Sequence, residues 1–210
     1  YPSKEGGSMK IDRENRFYTI VFTFIITFAF VIVLSLINNA TEPTVKKNQE
    51  LLKVKAILNA MDISYLSDDE ALDKFRNDVK KVENDKYEIY KTTSGGEEIY
   101  ALIFSGSGLW GTITGVLAVD SSLSTIKGID FISQSETPGL GGRIEENWFK
   151  DQFRDEKVAD GMVSVSVTKT DGSKEDGKVD AVTGATLTSK SVEKIVNDSL
   201  VRLREVLGVK

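Results

Sequence analysis

The chain has 210 residues, 28% of them charged, with a net charge of -5 and neither Cys nor His. Disulfides, thiol nucleophiles, Cys- or His-based zinc and haem sites, Cys-ligated iron–sulfur clusters and Ser-His-Asp triads are therefore excluded within it. Residues 1–16 carry +1, which leaves -6 for the remainder; this lacks the basic footprint of a nucleic-acid binder and predicts no nucleic-acid partner.

In chain order, the first eight residues look unlike the rest of the chain, and Met9 is read as the natural start. Residues 1–16 form an expected cytoplasmic tail. Phe17 to Ile37 is an uncharged apolar run, and a transmembrane helix is assigned to residues 17–38. At 1.5 Å per residue it spans about 30 Å, a bilayer core, and it is longer than the apolar region of a signal peptide. Lys10, Arg13 and Arg16 on its N-terminal side favour a cytoplasmic N-terminus. The expected location is the cell membrane, single-pass, with the C-terminal domain on the outer side.

Residues 39–84 read as a helical connector. Thr44–Ala60 has helical apolar spacing and Pro43 would suit its first turn. A second helix is expected from Ser67-Asp68-Asp69-Glu70 to about Val82, with acids in its first turn.

Residues 85–210 read as the soluble domain. Tyr87–Thr92 and Glu98–Phe104 flank Ser94-Gly95-Gly96 as a hairpin, and Thr112–Val119 and Thr125–Ile132 form a second pair. Between them lies the glycine-rich stretch Gly106-Ser107-Gly108-Leu109-Trp110-Gly111. A short helix over Glu145–Phe153, a strand at Val163–Thr168 and a polar turn at Asp171–Gly177 come next. A long amphipathic helix carries Leu187, Val192, Ile195, Val196, Leu200, Leu203 and Leu207 and ends at Gly208. The fold class is α+β: one N-terminal transmembrane helix, then a mostly antiparallel sheet domain with flanking helices.

The strongest local signal is Asp180-Ala181-Val182-Thr183-Gly184-Ala185-Thr186, a short loop entering a helix with Thr186 at or near its N-cap. Unpaired amides and the positive dipole end suit a phosphate there. On spacing alone, a plain helix cap at Thr186 or Thr188 is the favoured reading.

The run D-A-V-T-G-A-T is similar to the pattern at which flavin transferases attach FMN through a phosphoester to the last Thr. Ser135-Glu136-Thr137-Pro138-Gly139-Leu140-Gly141, followed by Trp148-Phe149, and Gly108-Leu109-Trp110-Gly111 occur in the order found in the FMN-binding subunits of the Rnf complex and of the sodium-pumping NADH:quinone oxidoreductase. The chain after Met9 resembles that family.

The resemblance implies FMN held covalently on Thr186, with Asp180, Thr183, Gly184 and Ala185 as the context of attachment. It also implies Glu136, Thr137, Gly139 and Leu140 against the isoalloxazine, and Leu109 and Trp110 on the other side. Trp110 is as readily core as flavin contact, and Trp148 is expected in the core. No catalytic acid–base pair and no metal site are expected. The implied role is a non-autonomous electron-transfer subunit of an ion-translocating oxidoreductase, with other membrane subunits and a flavin transferase as partners. The RnfG type, in an Rnf ferredoxin:NAD oxidoreductase, is the favoured form. The NqrC type, in the sodium-translocating NADH:quinone oxidoreductase, or an anchored FMN-binding regulatory domain outside any pump, are the alternatives.

Overall fold

The computed structural model describes residues 16–209; the N-terminal tail expected over residues 1–16, including Met9, Lys10 and Arg13, lies outside them except for Arg16. The chain divides into two units, Tyr1–Asn48 and Gln49–Lys210.

Helix α1 runs from Arg16 to Ala60. Its first part is the apolar run, with a mean hydropathy of 3.0 over 18 residues and none of that window buried. It is long and apolar enough to cross a membrane. The separate helix expected over Thr44–Ala60, with Pro43 in its first turn, is instead continuous with the apolar run, and Pro43 lies inside α1. Proline in a helix interior removes one amide donor, yet α1 continues on both sides of it. Thr41 bonds back to the carbonyls of Ile37 (3.0 Å) and Asn38 (3.2 Å).

The compact unit begins at Gln49, well before residue 85, because the stretch expected as a connector is packed. Helix α2 spans Asp68–Asp78, and Ser67 caps it by accepting from the Glu70 amide. The Glu70 carboxylate in turn accepts from the Leu66 amide (2.8 Å), so this end closes with a reciprocal pair of bonds. The helix stops before Val82: Val79 is extended, and β1 follows at Lys80–Val82.

Strands β2 (Ile89–Ser94), β3 (Glu97–Ser107), β4 (Thr112–Asp120), β5 (Thr125–Ser133) and β6 (Glu156–Lys157) complete a six-stranded sheet in the order β1-β2-β3-β4-β5-β6, every pair antiparallel. Both expected hairpins are there. β4 is central and buried on nearly every residue because both sheet faces are covered.

One face carries Tyr90, Ile99, Ala101, Val116 and Ala118 against Val54–Met61 and Ala71. The packing of α1 on β5 is tight at Gly128, where a Cβ would stand 2.7 Å from the Ala60 carbonyl oxygen. The other face carries Ile89, Leu102, Phe104, Ile113, Leu117 and Ile126 against Phe149, Phe153 and the last helix, α4 (Thr186–Leu207). A parallel two-stranded pair, β7 (Ser164–Ser166) with β8 (Lys178–Asp180), borders that core through Val163, Val165 and Val179.

The helix expected over Glu145–Phe153 is shorter and split: a 3-10 turn at Gly141–Glu145, then α3 at Asn147–Lys150. Phe149 and Phe153 are its core residues. Trp148 is 40% exposed, with its indole N–H on Glu146, so it is not the core residue the sequence suggested. Val167 is exposed beyond the end of β7, where the alternating pattern stops.

Candidate functional site

Three segments of the compact unit meet at the start of α4. The first is the loop after β3, where the Gly108 amide donates to the Gly111 carbonyl at 2.7 Å. Gly108 is required there, since a Cβ would lie 2.4 Å from Glu136 Oε1. This loop holds Leu109 and Trp110 outward, 48% and 72% exposed.

The second segment is the turn Thr137-Pro138-Gly139-Leu140. The Leu140 amide donates to the Thr137 carbonyl at 3.1 Å, and Gly139 takes φ +74°, the third-residue conformation of a type II turn with Pro at the second position. Leu140 is 45% exposed at its end.

The third segment repeats that geometry. In Val182-Thr183-Gly184-Ala185 the Ala185 amide donates to the Val182 carbonyl at 2.9 Å, and Gly184 takes φ +80°. The two turns touch: a Cβ on Gly184 would meet Leu140 Cδ2 at 3.2 Å. Ser189 locks this turn to the helix, accepting from the Val182 amide and donating to the Ala185 carbonyl, both at 3.0 Å. Asp180 stands behind it. Its carboxylate accepts from the Thr170 amide at 2.6 Å, and its own amide donates to Gln152 Oε1 at 2.6 Å.

Glu136 ties the segments together. It is 4% exposed and accepts from the amides of Leu109 (2.9 Å) and Trp110 (3.0 Å) on one oxygen, and from the Thr188 hydroxyl (2.5 Å) on the other. Burial alone would raise its pKa. The Thr188 hydroxyl and the amides of Trp110, Leu109 and Gly111 outweigh that and hold the carboxylate below the ordinary Glu value. Gly141 completes the junction, because a Cβ there would lie 2.6 Å from Thr188 Oγ1 and 2.9 Å from Glu136.

Thr186 is the first residue of α4. It is exposed, and the N-cap residue Ala185 supplies no side-chain cap. The first backbone bond into the helix runs from the Ser189 amide to the Ala185 carbonyl, so the amides of residues 186–188 have no helical acceptor. The first turn carries no acid. Leu187, assigned by periodicity to the buried face, is 64% exposed beside Thr186. The buried positions are instead Thr188 and Ser189.

This chemistry fits a flavin mononucleotide. Free amides at a positive helix end receive a phosphate. A glycine turn lets backbone approach closely, and Leu109, Trp110, Leu140 and Leu187 are exposed apolar side chains of the kind that pack on a planar ring system. The structure brings Thr183, Gly184, Thr186, Thr137, Gly139, Leu140, Leu109 and Trp110 to the surface of the unit, and buries Ala185 in the core. It places Asp180 and Glu136 beneath that surface, bonded to backbone. Gly141, Thr188 and Ser189 lay in or beside the motifs but were given no site role; small polar residues on the inward face of an otherwise apolar helix were the available signal for the last two. Among the described residues no cluster of acids, His or Cys is arranged to hold a metal.

The architecture and this surface suit a flavin-binding domain, and residues 108–201 match the FMN-binding domain family. It is similar to the NqrC subunits of Na(+)-translocating NADH-quinone reductases. The one from Neisseria meningitidis serogroup A is 41% identical over 90 residues, 42% of this chain and 35% of that protein. The one from Pasteurella multocida is 38% identical over 109 residues, 50% of this chain and 42% of that protein. The chain thus spans well under half the length of the curated relatives it matches.

Among solved structures, the corresponding Na(+)-translocating NADH-quinone reductase subunit from Parabacteroides distasonis is 28% identical with a TM-score of 0.65, covering 80% of this chain and 98% of that one. NqrC of Shewanella oneidensis shares the fold at 20% identity, with a TM-score of 0.64 and coverage of 79% and 100%.

Proposed function

We propose that FMN is esterified through its phosphate to Thr186 Oγ1, and that the chain is the FMN-carrying, electron-transferring NqrC subunit of a sodium-translocating NADH:quinone oxidoreductase. The observation that carries this is the open start of α4. Thr186 is exposed, its hydroxyl has no hydrogen bond among the described residues, and the amides beside it are free of helical partners.

In this reading the amides of residues 186–188 hold the remaining phosphate charge, and Gly184 leaves room for the ribityl chain. Leu140 and Leu187 support the ring, and Trp110 shields it from water. The flavin supplies one- and two-electron exchange; the protein binds, orients and tunes it. With no acid–base pair at the site, the isolated chain relays electrons and turns over no substrate. Its partners are the other membrane subunits of the complex, and a flavin transferase that esterifies Thr186. The apolar part of α1 anchors it. Lys10, Arg13 and Arg16 before that span support a cytoplasmic N-terminus, with the flavin domain on the outer side.

The Nqr form is preferred to the Rnf form expected from sequence because the relatives with 34–41% identity carry the NADH-quinone reductase name. A Cys-rich iron–sulfur subunit encoded beside this chain would favour Rnf. The test of the linkage is in-gel flavin fluorescence of the denatured protein from its native membrane, wild type beside Thr186→Ala. A wild-type band that disappears in the variant is expected. A dark wild-type band from cells that flavinylate other proteins overturns the assignment.

A further inference from the structure

Glu136 belongs to the motif that the family resemblance places against the flavin, yet its side chain is turned away from the open surface and into the chain's own junction. Both of its oxygens are occupied. Oε1 receives the Leu109 and Trp110 amides at 2.9 and 3.0 Å, and Oε2 receives the Thr188 hydroxyl at 2.5 Å. Its surroundings consist of donors alone, a match for an ionised carboxylate, which only accepts. The backbone closes on it from two sides. A Cβ on Gly108 would come within 2.4 Å of Oε1, and one on Gly141 within 2.9 Å of Oε2. Space and hydrogen bonding are therefore both consumed by protein groups.

We propose that Glu136 is a positioning residue rather than a flavin ligand: a buried carboxylate that clamps the Leu109–Trp110 loop to the first turn of α4 and fixes a negative charge beneath the flavin. The proposal rests on attachment at Thr186. Three links connect the two. Thr188 is two residues beyond the attachment residue, on the buried side of the same turn. Glu136 joins Thr188 to the loop that carries Trp110. Trp110 is 72% exposed and, among the described residues, stacks on no other ring, so the loop backbone is what sets its place. Without the clamp, the aromatic wall loses its register with the attachment site. The charge has a separate consequence. A reduced flavin is more negative than an oxidised one, so a fixed negative charge nearby disfavours reduction and lowers the midpoint potential.

Two measurements on the full chain test this. The first is amide hydrogen exchange at residues 109–111 in a Thr186→Ala background, where no covalent flavin is present. Replacing Glu136 by Leu is expected to speed exchange there about tenfold or more, as for loss of hydrogen bonds to a charged acceptor. Replacing it by Gln keeps an acceptor for the two amides and is expected to speed exchange less. If Glu136→Leu does not fold, Thr188→Val serves instead: it removes one donor, preserves shape, and is expected to loosen the same amides. Wild-type exchange at 109–111 in whichever of these folds overturns the clamp.

The second measurement is the midpoint potential of the flavinylated protein, wild type against Glu136→Gln, with covalent flavin content measured on the same samples. An upward shift at unchanged flavin content is expected. An unchanged potential overturns the charge effect. A wild-type chain that carries no covalent flavin would instead overturn attachment at Thr186, and the exchange result would stand by itself.

Discussion

Helices α2 and α4, both of which begin inside the compact unit, start in opposite ways. At α2 the end is closed. Ser67 accepts from the Glu70 amide, Glu70 accepts from the Leu66 amide, and Asp68, Asp69 and Glu70 set three acids against the positive dipole. At α4 the end is open: no side chain caps it, no acid stands in its first turn, and its first side chain is a Thr hydroxyl at the surface. The same backbone physics produces both ends. What differs is whether the sequence satisfies the free amides internally or leaves them to an outside group. A helix start without a cap costs about 1 kcal/mol relative to a capped one. At α4 that cost coincides with an exposed apolar surface and the two glycine turns.

The comparison can be broken at three places beyond Thr186 and Glu136. The largest effect is expected from Gly141→Ala. Its Cβ meets Thr188 Oγ1 and Glu136 in a junction with no slack, so about 1–3 kcal/mol of stability should be lost in denaturant melts, together with covalent flavin. Full stability in this variant would show that the junction beneath α4 is looser than its contacts imply.

Next is Ser67→Ala, which opens the closed end. About 1 kcal/mol should be lost by the same measurement, with flavin content unchanged. A drop in flavin content would mean that the two ends are not independent.

The smallest effect is expected from Leu187→Glu, which gives α4 the acid it lacks. The protein without flavin should gain about 0.3–1 kcal/mol at low ionic strength, and covalent flavin content should fall as the new carboxylate competes with the phosphate. Equal flavin content in variant and wild type would argue that the dipole end does not hold the phosphate.

Buried carboxylates give the same lesson in another form. Glu136 and Glu156 are both nearly inaccessible, at 4% and 1% exposure. Glu156 is pushed above the ordinary Glu value by burial, with the Gly177 amide as its close donor (2.9 Å), whereas Glu136 is held below it by a ring of donors. Burial does not decide the sign of the shift; the number and kind of donors do.

Much of this molecule was legible from its residues. The apolar length of 17–37, the turn residues at Ser94-Gly95-Gly96, and the strand-forming residues of the β3, β4 and β5 segments are local signals, and each element stands close to where they put it. The D-A-V-T-G-A-T run and the T-P-G-L turn marked the candidate site by resemblance to a family pattern, and each carries a glycine at positive φ. What local pattern could not give is set by contacts between distant segments. Pro43 did not begin a separate helix, and the 49–82 stretch became a layer of the core instead of a connector, because Val54–Met61 and Ala71 cover a sheet face that would otherwise be bare. Trp148 and Leu187 fell outside, and Phe149, Thr188 and Ser189 inside, since the facing of a helix is fixed by what it packs on. That Glu136 faces Thr188, 52 residues further along the chain, is a fact of tertiary closure alone. Periodicity and turn chemistry were enough to set most of the elements, and the proposed attachment motif was legible only by its resemblance to a family pattern. Which groups meet beneath Thr186 was left to the folded sheet, because that depends on burial and donor geometry across the whole domain.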